Sequence, residues 1–412
     1  MKRYLAILML LACLPLLLAA EILYVVNSQS RTLSRIDLNQ NSVNNSFALL
    51  GNVPNKLAVS KDYLWLVASG DNAIQKISPA TGQILANYLV EVAANPWDAI
   101  YHENYLYITG LISGKVYKMD TRTGQVLASL QVGIAPEALA IKGDKLYVTK
   151  AGNYVDNYAG SSLSIIDLGS FSLINNINLP INPQYLTLHG DKLHISCTGN
   201  WTDVLGKIVV LDTANDEIIH TLDLGGSPGN IQINSAGIAY VADAGGYSLY
   251  RYDANTMELL NPADNPLSFA AGDLLAADSY LALVNPNWGS NGSVQIVDWE
   301  LNALQSFTVG MMPTDIKREL SPTSVADAIQ IPAARLIQLY PSPLRVGQSL
   351  KLKSEVGQKG MFRLYNLRGE KVQEEWILPG EETSLPVKQK SGVYFYRFES
   401  GGKSNAGKIT VM

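Results

Sequence analysis

Hydrophobic and polar residues alternate in short runs along most of the chain, and one arrangement of these runs recurs. Each copy has an apolar strand, a polar loop, a second strand that ends near an aspartate, and a turn that leads into a third strand. Alternation over five to eight residues is typical of β-strands that bury one face. The strand pairs of the seven copies are 23–27 and 33–37, 64–68 and 74–78, 106–110 and 116–120, 146–150 and 163–167, 193–197 and 208–212, 239–243 and 249–253, and 281–285 and 294–298.

A proline marks the start of a further short apolar strand between the copies. This strand is counted below as the first of a blade, so the strands of each copy become the second, third and fourth. These prolines are Pro54, Pro96, Pro136, Pro183, Pro228 and Pro313. Most are about 40–45 residues apart, the repeat length of a four-stranded propeller blade. The last gap is about twice as long, which indicates that one copy near Ala270 has lost its proline.

The repeat starts and ends out of phase. Residues 21–27 have the pattern of a second strand, and residues 310–317 have that of a first strand with no copy after it. Pairing the two would close the ring and cover both open edges. We therefore predict a seven-bladed β-propeller over 21–318. A two-sheet sandwich array is the alternative, and seven even copies fit it less well.

A second pattern begins after an extended segment at 319–335. Alternating strands are predicted at 349–354, 361–366, 383–387, 392–398 and 408–412, with turn residues between them. A stretch of this size suits a small β-sandwich. The predicted fold class is all-β, with a propeller followed by a C-terminal sandwich at 336–412.

The first twenty residues are typical of a signal peptide. Lys2 and Arg3 precede an apolar run, and small residues stand before Glu21. The run is short for a membrane span, which needs about 20 residues, so no transmembrane span is predicted in the mature chain. Cys13 weakly suggests a lipoprotein signal, but the apolar run continues past it. The mature chain then keeps only Cys197, predicted to be a buried, inert thiol.

Charge argues against one class of partner. Charged residues make up 16% of the chain, the net charge is −5, and no basic stripe is present. Nucleic-acid binding depends on clustered Lys and Arg. Nucleic acid is therefore not an expected partner.

The repeats resemble the YVTN/YncE-like propeller family, a likeness that covers about residues 21–318 and is specific for fold rather than function. The residues that carry it are 24–27, 146–150, 209–212 and the turns that start at Gly51, Gly133, Gly225 and Gly310.

The C-terminal stretch resembles the sorting domain of the type IX secretion system of Bacteroidetes-like bacteria. The segments that carry it are 339–343, 362–370, 391–397 and 407–411, with Ser342 where the family usually has Asn. The resemblance implies contact with the type IX secretion machinery, passage through the outer membrane of a Gram-negative bacterium, removal of the domain, and either attachment to surface polysaccharide or release. A carbohydrate-binding or purely structural sandwich is the alternative.

Catalytic motifs are missing from the sequence. The four histidines have no zinc-site spacing, and no nucleophile elbow, phosphate loop or calcium loop occurs. The aspartate that ends the third strand of most blades is predicted to cap a turn. No cofactor or metal is predicted, and the interpretation favours a protein without catalytic activity.

Candidate binding residues lie where the blades differ. Three loops between second and third strands are long, and each has Asn before Tyr or Trp; Trp97 and Asp98 follow Pro96 at the expected channel mouth. Exposed aromatic rings beside amides and carboxylates suit a sugar or a peptide, but they could equally pack loop onto loop. The loop candidates are Asn153, Tyr154, Asp156, Tyr158, Asn200, Trp201, Asp203, Asn287 and Trp288.

Three functions remain open at this stage. The favoured one is a non-catalytic binding or scaffold protein of the cell surface that recognises a glycan, a peptide or a surface protein. The second is a metal-dependent lactonase-like or lyase-like enzyme, and the third is a structural surface-layer component. The acidic and amide residues available to the enzyme are Asp98, Asn153, Asp156, Asn200, Asp203 and Asn287.

Overall fold

A computed structural model describes residues 21–320, 337–340, 344–345, 347–354, 357–366, 371–387, 390–401 and 403–411. These residues form two compact units, one on each side of residue 322. The predicted signal peptide and nearly all of the predicted linker lie outside the described residues. Within the described part, no helix is both long and apolar enough to cross a membrane.

The first unit consists of seven four-stranded antiparallel sheets. Six of them use four consecutive strands, and two short 3-10 helices, Ser69–Asp71 and Tyr154–Asp156, lie in loops. The strands of the six sheets are β4–β7 (Pro54–Val59, Leu64–Ala68, Ala73–Ile77, Ile84–Leu89), β8–β11 (Pro96–His102, Tyr105–Gly110, Lys115–Asp120, Val126–Gln131), β12–β15 (Pro136–Lys142, Lys145–Lys150, Ser162–Asp167, Ser172–Asn178), β16–β19 (Pro183–His189, Lys192–Cys197, Lys207–Asp212, Glu217–Leu222), β20–β23 (Pro228–Ile233, Ile238–Asp243, Leu249–Asp253, Leu259–Asn261) and β24–β27 (Asp273–Ala276, Leu281–Asn285, Asn291–Val297, Ala303–Met311).

The remaining sheet joins the two ends of the unit. Its order is β28-β1-β2-β3, with β1 at Ile22–Asn27, β2 at Thr32–Asp37, β3 at Ser42–Leu49 and β28 at Pro313–Arg318. Leu23 pairs with Arg318, and Val26 pairs with Asp315. The predicted pairing of the late strand with the early strands is therefore confirmed. The late strand begins three residues later than predicted, because β27 continues to Met311.

The seven first strands form a closed ring. Each contacts the first strand of the next sheet, and β28 contacts β4 to complete the circle. The hydrophobic core lies between neighbouring sheets, where apolar residues from both faces pack together: Trp65 of β5 shares one cluster with Leu106 and Tyr117 of the next sheet. This radial arrangement of sheets is the predicted β-propeller.

The recurrent aspartates cap turns, as predicted. In each case a backbone N–H two to four residues later donates to the carboxylate at 2.6–3.0 Å. The bonds satisfy polar backbone at the turn into the fourth strand. The aspartates concerned are Asp37, Asp120, Asp167, Asp212, Asp253 and Asp298.

Cys197 is buried on β17 and is the free cysteine of the described residues. Burial raises the pKa of its thiol well above the usual range. The prediction of a buried thiol is confirmed.

The second unit is a small sandwich of two sheets, β29-β30-β33 and β32-β31-β34-β35. Phe362 and Phe398 lie at the centre of its core. The five predicted strands are present, but β29 and β32 were not predicted, because residues 371–377 carry charges on both faces instead of alternating. The strands are β29 (Ile337–Tyr340), β30 (Ser349–Ser354), β31 (Gly360–Tyr365), β32 (Lys371–Ile377), β33 (Glu382–Pro386), β34 (Gly392–Ser400) and β35 (Lys403–Val411).

Candidate functional site at the channel mouth

Strand pairing places two sets of residues on one face of the propeller. The start of each first strand pairs with the end of the second strand: Pro136 with Lys150, Pro183 with Cys197 and Pro228 with Asp243. The loop that follows the second strand therefore lies beside the start of the first. We call this side the entrance face, meaning the starts of the seven first strands together with the loops between second and third strands.

A cavity of about 520 Å³ opens at the centre of the entrance face. All seven sheets contribute to its wall, mostly through the first residues of their first strands. Its volume is within the range of small-molecule sites. The charged and aromatic residues of the wall are Lys56, Trp97, Asp98, Glu137, Tyr185, Trp288, Asp315 and Lys317.

Asp315 holds both lysines of the cavity. Its carboxylate lies 2.8 Å from Lys317 Nζ and 3.4 Å from Lys56 Nζ, and it accepts the backbone N–H of Leu57 at 2.8 Å. Burial opposes the charged form of Lys56, but the negative charges of Asp315 and Asp273 outweigh it and raise the pKa of the lysine above its ordinary value. The same balance of burial against Asp315 raises the pKa of Lys317. Both lysines are therefore charged and paired.

Asp273 does not line the cavity, and its carboxylate also has hydrogen-bond partners. It accepts Asn230 Nδ2 at 2.6 Å and the backbone N–H of Ile316 at 3.2 Å. Burial nevertheless raises the pKa of this carboxyl. Asp273 and Asp315 thus fix the ends of neighbouring first strands to each other.

Glu137 and Asp98 differ from that pair. Among residues 21–320, no Lys, Arg or His lies within 4 Å of either carboxyl. The Asp98 carboxylate accepts the N–H of Ala99 at 2.7 Å, while the carboxyl of Glu137 has no hydrogen bond to the described residues although Glu137 is only 6% exposed. Burial raises the pKa of Asp98 to about 6 and that of Glu137 to about 8. For both carboxyls, the effect of burial on the pKa outweighs the effect of the positive charge of Lys56.

Thr109 joins the backbones of these two acids. Its hydroxyl donates to the backbone carbonyl of Glu137 at 2.7 Å and accepts the backbone N–H of Asp98 at 3.1 Å. The starts of β8 and β12 are therefore joined through one buried side chain, and the two acids are held on adjacent sheets.

The long loop of β13–β14 has its own internal structure. Asn153 caps the short helix Tyr154–Asp156 by accepting the N–H of Val155. Tyr154 is 74% exposed and stacks edge-on against Tyr158, which is buried. Asp156 is exposed.

The long loop of β17–β18 packs against the preceding one. Trp201 Nε1 donates to the hydroxyl of Tyr158 at 3.1 Å, and Asn200 Nδ2 donates to Asn157 Oδ1 at 3.0 Å and to Asp203 Oδ1 at 2.8 Å. Bonds from Asn200 and Thr202 lower the pKa of Asp203. The two loops thus pack together, and Trp201 still exposes 47% of its surface.

The long loop of β25–β26 reaches the cavity. Asn287 bonds within its own loop, to Ser290 and to the carbonyl of Asn291 at 3.0 Å. Trp288 Nε1 donates to the carbonyl of Gly245 on the neighbouring sheet at 3.1 Å, and its ring is 55% exposed at the cavity wall.

The structure brings three of the eleven candidates to the cavity: Trp97, Asp98 and Trp288. The other eight lie in loops and do not line the cavity. Sequence reasoning did not find the other charged and aromatic residues of the cavity wall, although the signal was present: they stand one or two residues after an interblade proline, or, for Lys317, close to the end of β28. Those residues are Lys56, Glu137, Tyr185, Asp315 and Lys317.

The candidate residues of the enzyme alternative do not gather in one place. Of its acidic and amide residues, Asp98 alone belongs to the cavity wall. Within the described residues, no group of three or more His, Cys, Asp and Glu side chains could hold a metal ion.

Solved structures with a similar fold share little sequence with this chain. A functionally unknown protein from Desulfotomaculum acetoxidans has a TM-score of 0.58 and 12% identity, covering 73% of this chain and 99% of that one. Kuenenia stuttgartiensis hydrazine synthase has a TM-score of 0.55 and 14% identity, covering 65% and 90%. Dihydro-heme d1 dehydrogenase NirN in complex with DHE has a TM-score of 0.52 and 11% identity, covering 72% and 74%. Similarity at this level concerns the fold alone.

No curated protein matches the chain in sequence. Residues 338–412 match the family described as the secretion system C-terminal sorting domain. A tail of this family indicates a protein that is secreted, handled by the type IX secretion machinery and sorted to the cell surface in Bacteroidetes-type bacteria.

Proposed function

We propose that the propeller is a non-catalytic binding module that is displayed at the cell surface and takes its ligand on the entrance face. The observation that carries this proposal is the cavity at the channel mouth, which has charged and aromatic walls. Concave sites with a few convergent polar groups are the usual place for ligands. The sorting tail supports a role outside the cell.

The aromatic loops extend the proposed surface. Tyr154, Trp201 and Trp288 are all about half exposed or more, and strand pairing puts their loops on the side where the cavity opens. Rings held in place contribute contact area at low entropic cost, and here Trp201 and Trp288 are held by indole hydrogen bonds and Tyr154 by the ring of Tyr158. A glycan, a peptide or a surface protein that covers this face could therefore contact both the cavity and the loops.

The finer assignments belong to the same proposal. We infer a signal peptide at 1–20, the propeller at 21–318, a linker at 319–335 and the sorting sandwich at 336–412, and we place the propeller in the YVTN/YncE-like family. The repeat of about 40–45 residues and the strand order support that family assignment.

Binding can be tested with the full chain on a glycan array and in a pull-down from the surface fraction of a producing bacterium. A specific ligand should be recovered, and Trp288→Ala should weaken its capture at least tenfold. Trp376→Ala removes an indole of similar exposure, 53%, from the second unit, so it serves as the matched control. Silence in both assays, or equal losses in the two variants, would count against the proposal.

Sorting can be tested separately by deleting 338–412 in a producing strain. The truncated chain should accumulate inside the outer membrane, while the full chain reaches the surface. Equal surface display of the two would contradict the role of the tail.

A further inference from the structure

Some carboxyls of the channel are paired with lysines or with hydrogen-bond donors, and others have no positive partner. Asp315 accepts both lysines and a backbone N–H, and Asp273 accepts an amide and a backbone N–H. Both lysines of the cavity wall are therefore paired with Asp315. These bonds leave Glu137 and Asp98 as carboxyls without a positive partner within 4 Å in residues 21–320.

Glu137 is a nearly buried acid whose carboxyl has no partner among the described residues. Its side chain lies at the cavity wall with 6% exposure, and its carboxyl has no hydrogen bond to the described residues. Buried carboxyls are normally paired or bonded, because an unpaired one costs folding free energy. Glu137 lines the cavity, and its carboxyl oxygens are not among the fully enclosed unbonded atoms of the described residues, so a ligand in the cavity has access to this carboxyl.

The charge of that ligand follows from the residues around it. Asp98 lies on the adjacent sheet, and Thr109 joins both backbones, so a positive group near the two acids would meet the Asp98 carboxylate and a Glu137 carboxyl that loses its proton when the cation binds. The two positive charges of Lys56 and Lys317 are balanced by Asp315 together with Asp273, which lowers their repulsion of a bound cation. An anionic group would instead face the two unpaired acids.

The size and the walls favour an organic cation over a bare metal ion. The cavity holds about 520 Å³, far more than an ion needs, and Trp97 and Trp288 belong to its wall. Aromatic faces attract ammonium groups and cover their alkyl chains. The described residues also contain no group of three or more potential metal ligands.

We propose that the channel cavity binds an alkylammonium group, with Glu137 and Asp98 as its counter-ions and Trp97 against its alkyl chain. The inference rests on the proposed binding function and names the ligand chemistry of that site. Two sources share this chemistry: a free amine, and a lysine side chain of a peptide.

The test is calorimetric titration of the full chain with five compounds. These are cadaverine, Nα-acetyl-lysine amide, their uncharged counterparts 1-pentanol and Nα-acetyl-norleucine amide, and calcium chloride. The two ammonium compounds should bind one per chain, and their uncharged counterparts should not. Glu137→Gln and Asp98→Asn should each weaken binding at least tenfold, whereas Asp62→Asn, in the exposed turn between β4 and β5, should leave it unchanged.

A second measurement separates charge pairing from a merely structural role of Glu137. Burial holds the pKa of the empty-site carboxyl at about 8, so binding a cation near neutral pH should release its proton. The binding enthalpy should then depend on the ionisation enthalpy of the buffer, and this dependence should shrink in Glu137→Gln. Unchanged circular dichroism would confirm that the variant is folded.

The outcomes are distinct. Binding of cadaverine alone supports a free amine as the source, and binding of the capped lysine supports a peptide. Binding of calcium alone, of the uncharged compounds equally, or of nothing would overturn the inference. A surface ligand captured equally well by the wild type and by Glu137→Gln would also overturn it, while leaving the proposed binding function intact.

Discussion

Replacing Glu137 by Gln should stabilise the propeller. Glu137 is only 6% exposed, its carboxyl has no hydrogen bond to the described residues, and burial raises its pKa from 4.5 to about 8. Between these two values the folded protein keeps a proton that the unfolded chain releases. The folded state therefore binds more protons, and its stability falls as the pH rises.

The magnitude follows from the same two pKa values. Each pH unit between 4.5 and 8 lowers the free energy of unfolding by about 1.4 kcal/mol. Gln has nearly the same shape and does not ionise, so the variant escapes this loss. We expect Glu137→Gln to be more stable than the wild type by about 1 kcal/mol at pH 5, about 3 kcal/mol at pH 7 and about 4 kcal/mol at pH 8.

Urea unfolding of the full chain, followed by tryptophan fluorescence, measures the difference. Five of the six tryptophans lie in the propeller, so the signal reports mainly on that unit. Glu258→Gln makes the same substitution at an exposed site and should change stability by less than about 0.5 kcal/mol at every pH. A variant that is neutral or destabilising at pH 8, or whose effect does not grow with pH, would show that the Glu137 carboxyl is not both buried and unpaired.

Three further predictions concern ring closure, the thiol and the loops. Asp315→Ala removes the carboxylate that pairs with Lys56 and Lys317, and should destabilise the propeller by about 3–5 kcal/mol in the same urea assay. Asp278→Ala removes a 97% exposed partner of Arg318 and should lower the free energy of unfolding by less than about 0.5 kcal/mol. Similar losses in the two variants would contradict the difference between a buried and an exposed ion pair. In a chain without residues 1–20, Cys197 should resist a thiol-specific reagent when folded and react fully in urea; rapid labelling of the folded chain would disprove its burial. Trp201→Ala should speed proteolysis within loop 151–160, because the indole bond to Tyr158 joins the two loops; Tyr247→Ala, at a side chain that is 71% exposed, is the control and should not change the digestion pattern.

Much of the fold could be predicted from the sequence because the repeat is regular. Apolar alternation located the second and third strands of each blade, and the prolines located most of the first strands. Ring closure by β1 and β28 followed from the phase of the repeat alone. Strand β32 was missed because its residues, KVQEEWI, carry charges at positions that alternation would make apolar.

The candidate site was less accessible to sequence reasoning. Its members come one or two from each blade, separated by about 40 residues or more, so no local motif gathers them. Loop length and aromatic content singled out the long loops instead, and only Trp288 of those candidates reached the cavity. Which carboxyls are paired depends on distances across the ring, such as the 3.4 Å from Lys56 to Asp315, and spacing in the sequence does not encode these.

The repeats themselves indicate that the fold does not require the charge of Glu137. Five other first strands begin with proline, and the residue directly after each of those prolines is uncharged: Asn55, Trp97, Gln184, Gly229 and Thr314. The strand forms and joins the ring in all of these cases, so the position tolerates amides, a hydroxyl, an indole or no side chain. A buried acid there lowers stability at neutral pH and adds no contact that closes the ring. By contrast, Asp315 loses three bonds if it is removed. A charge that the architecture does not need, placed where a ligand can reach it, is better explained by binding than by folding.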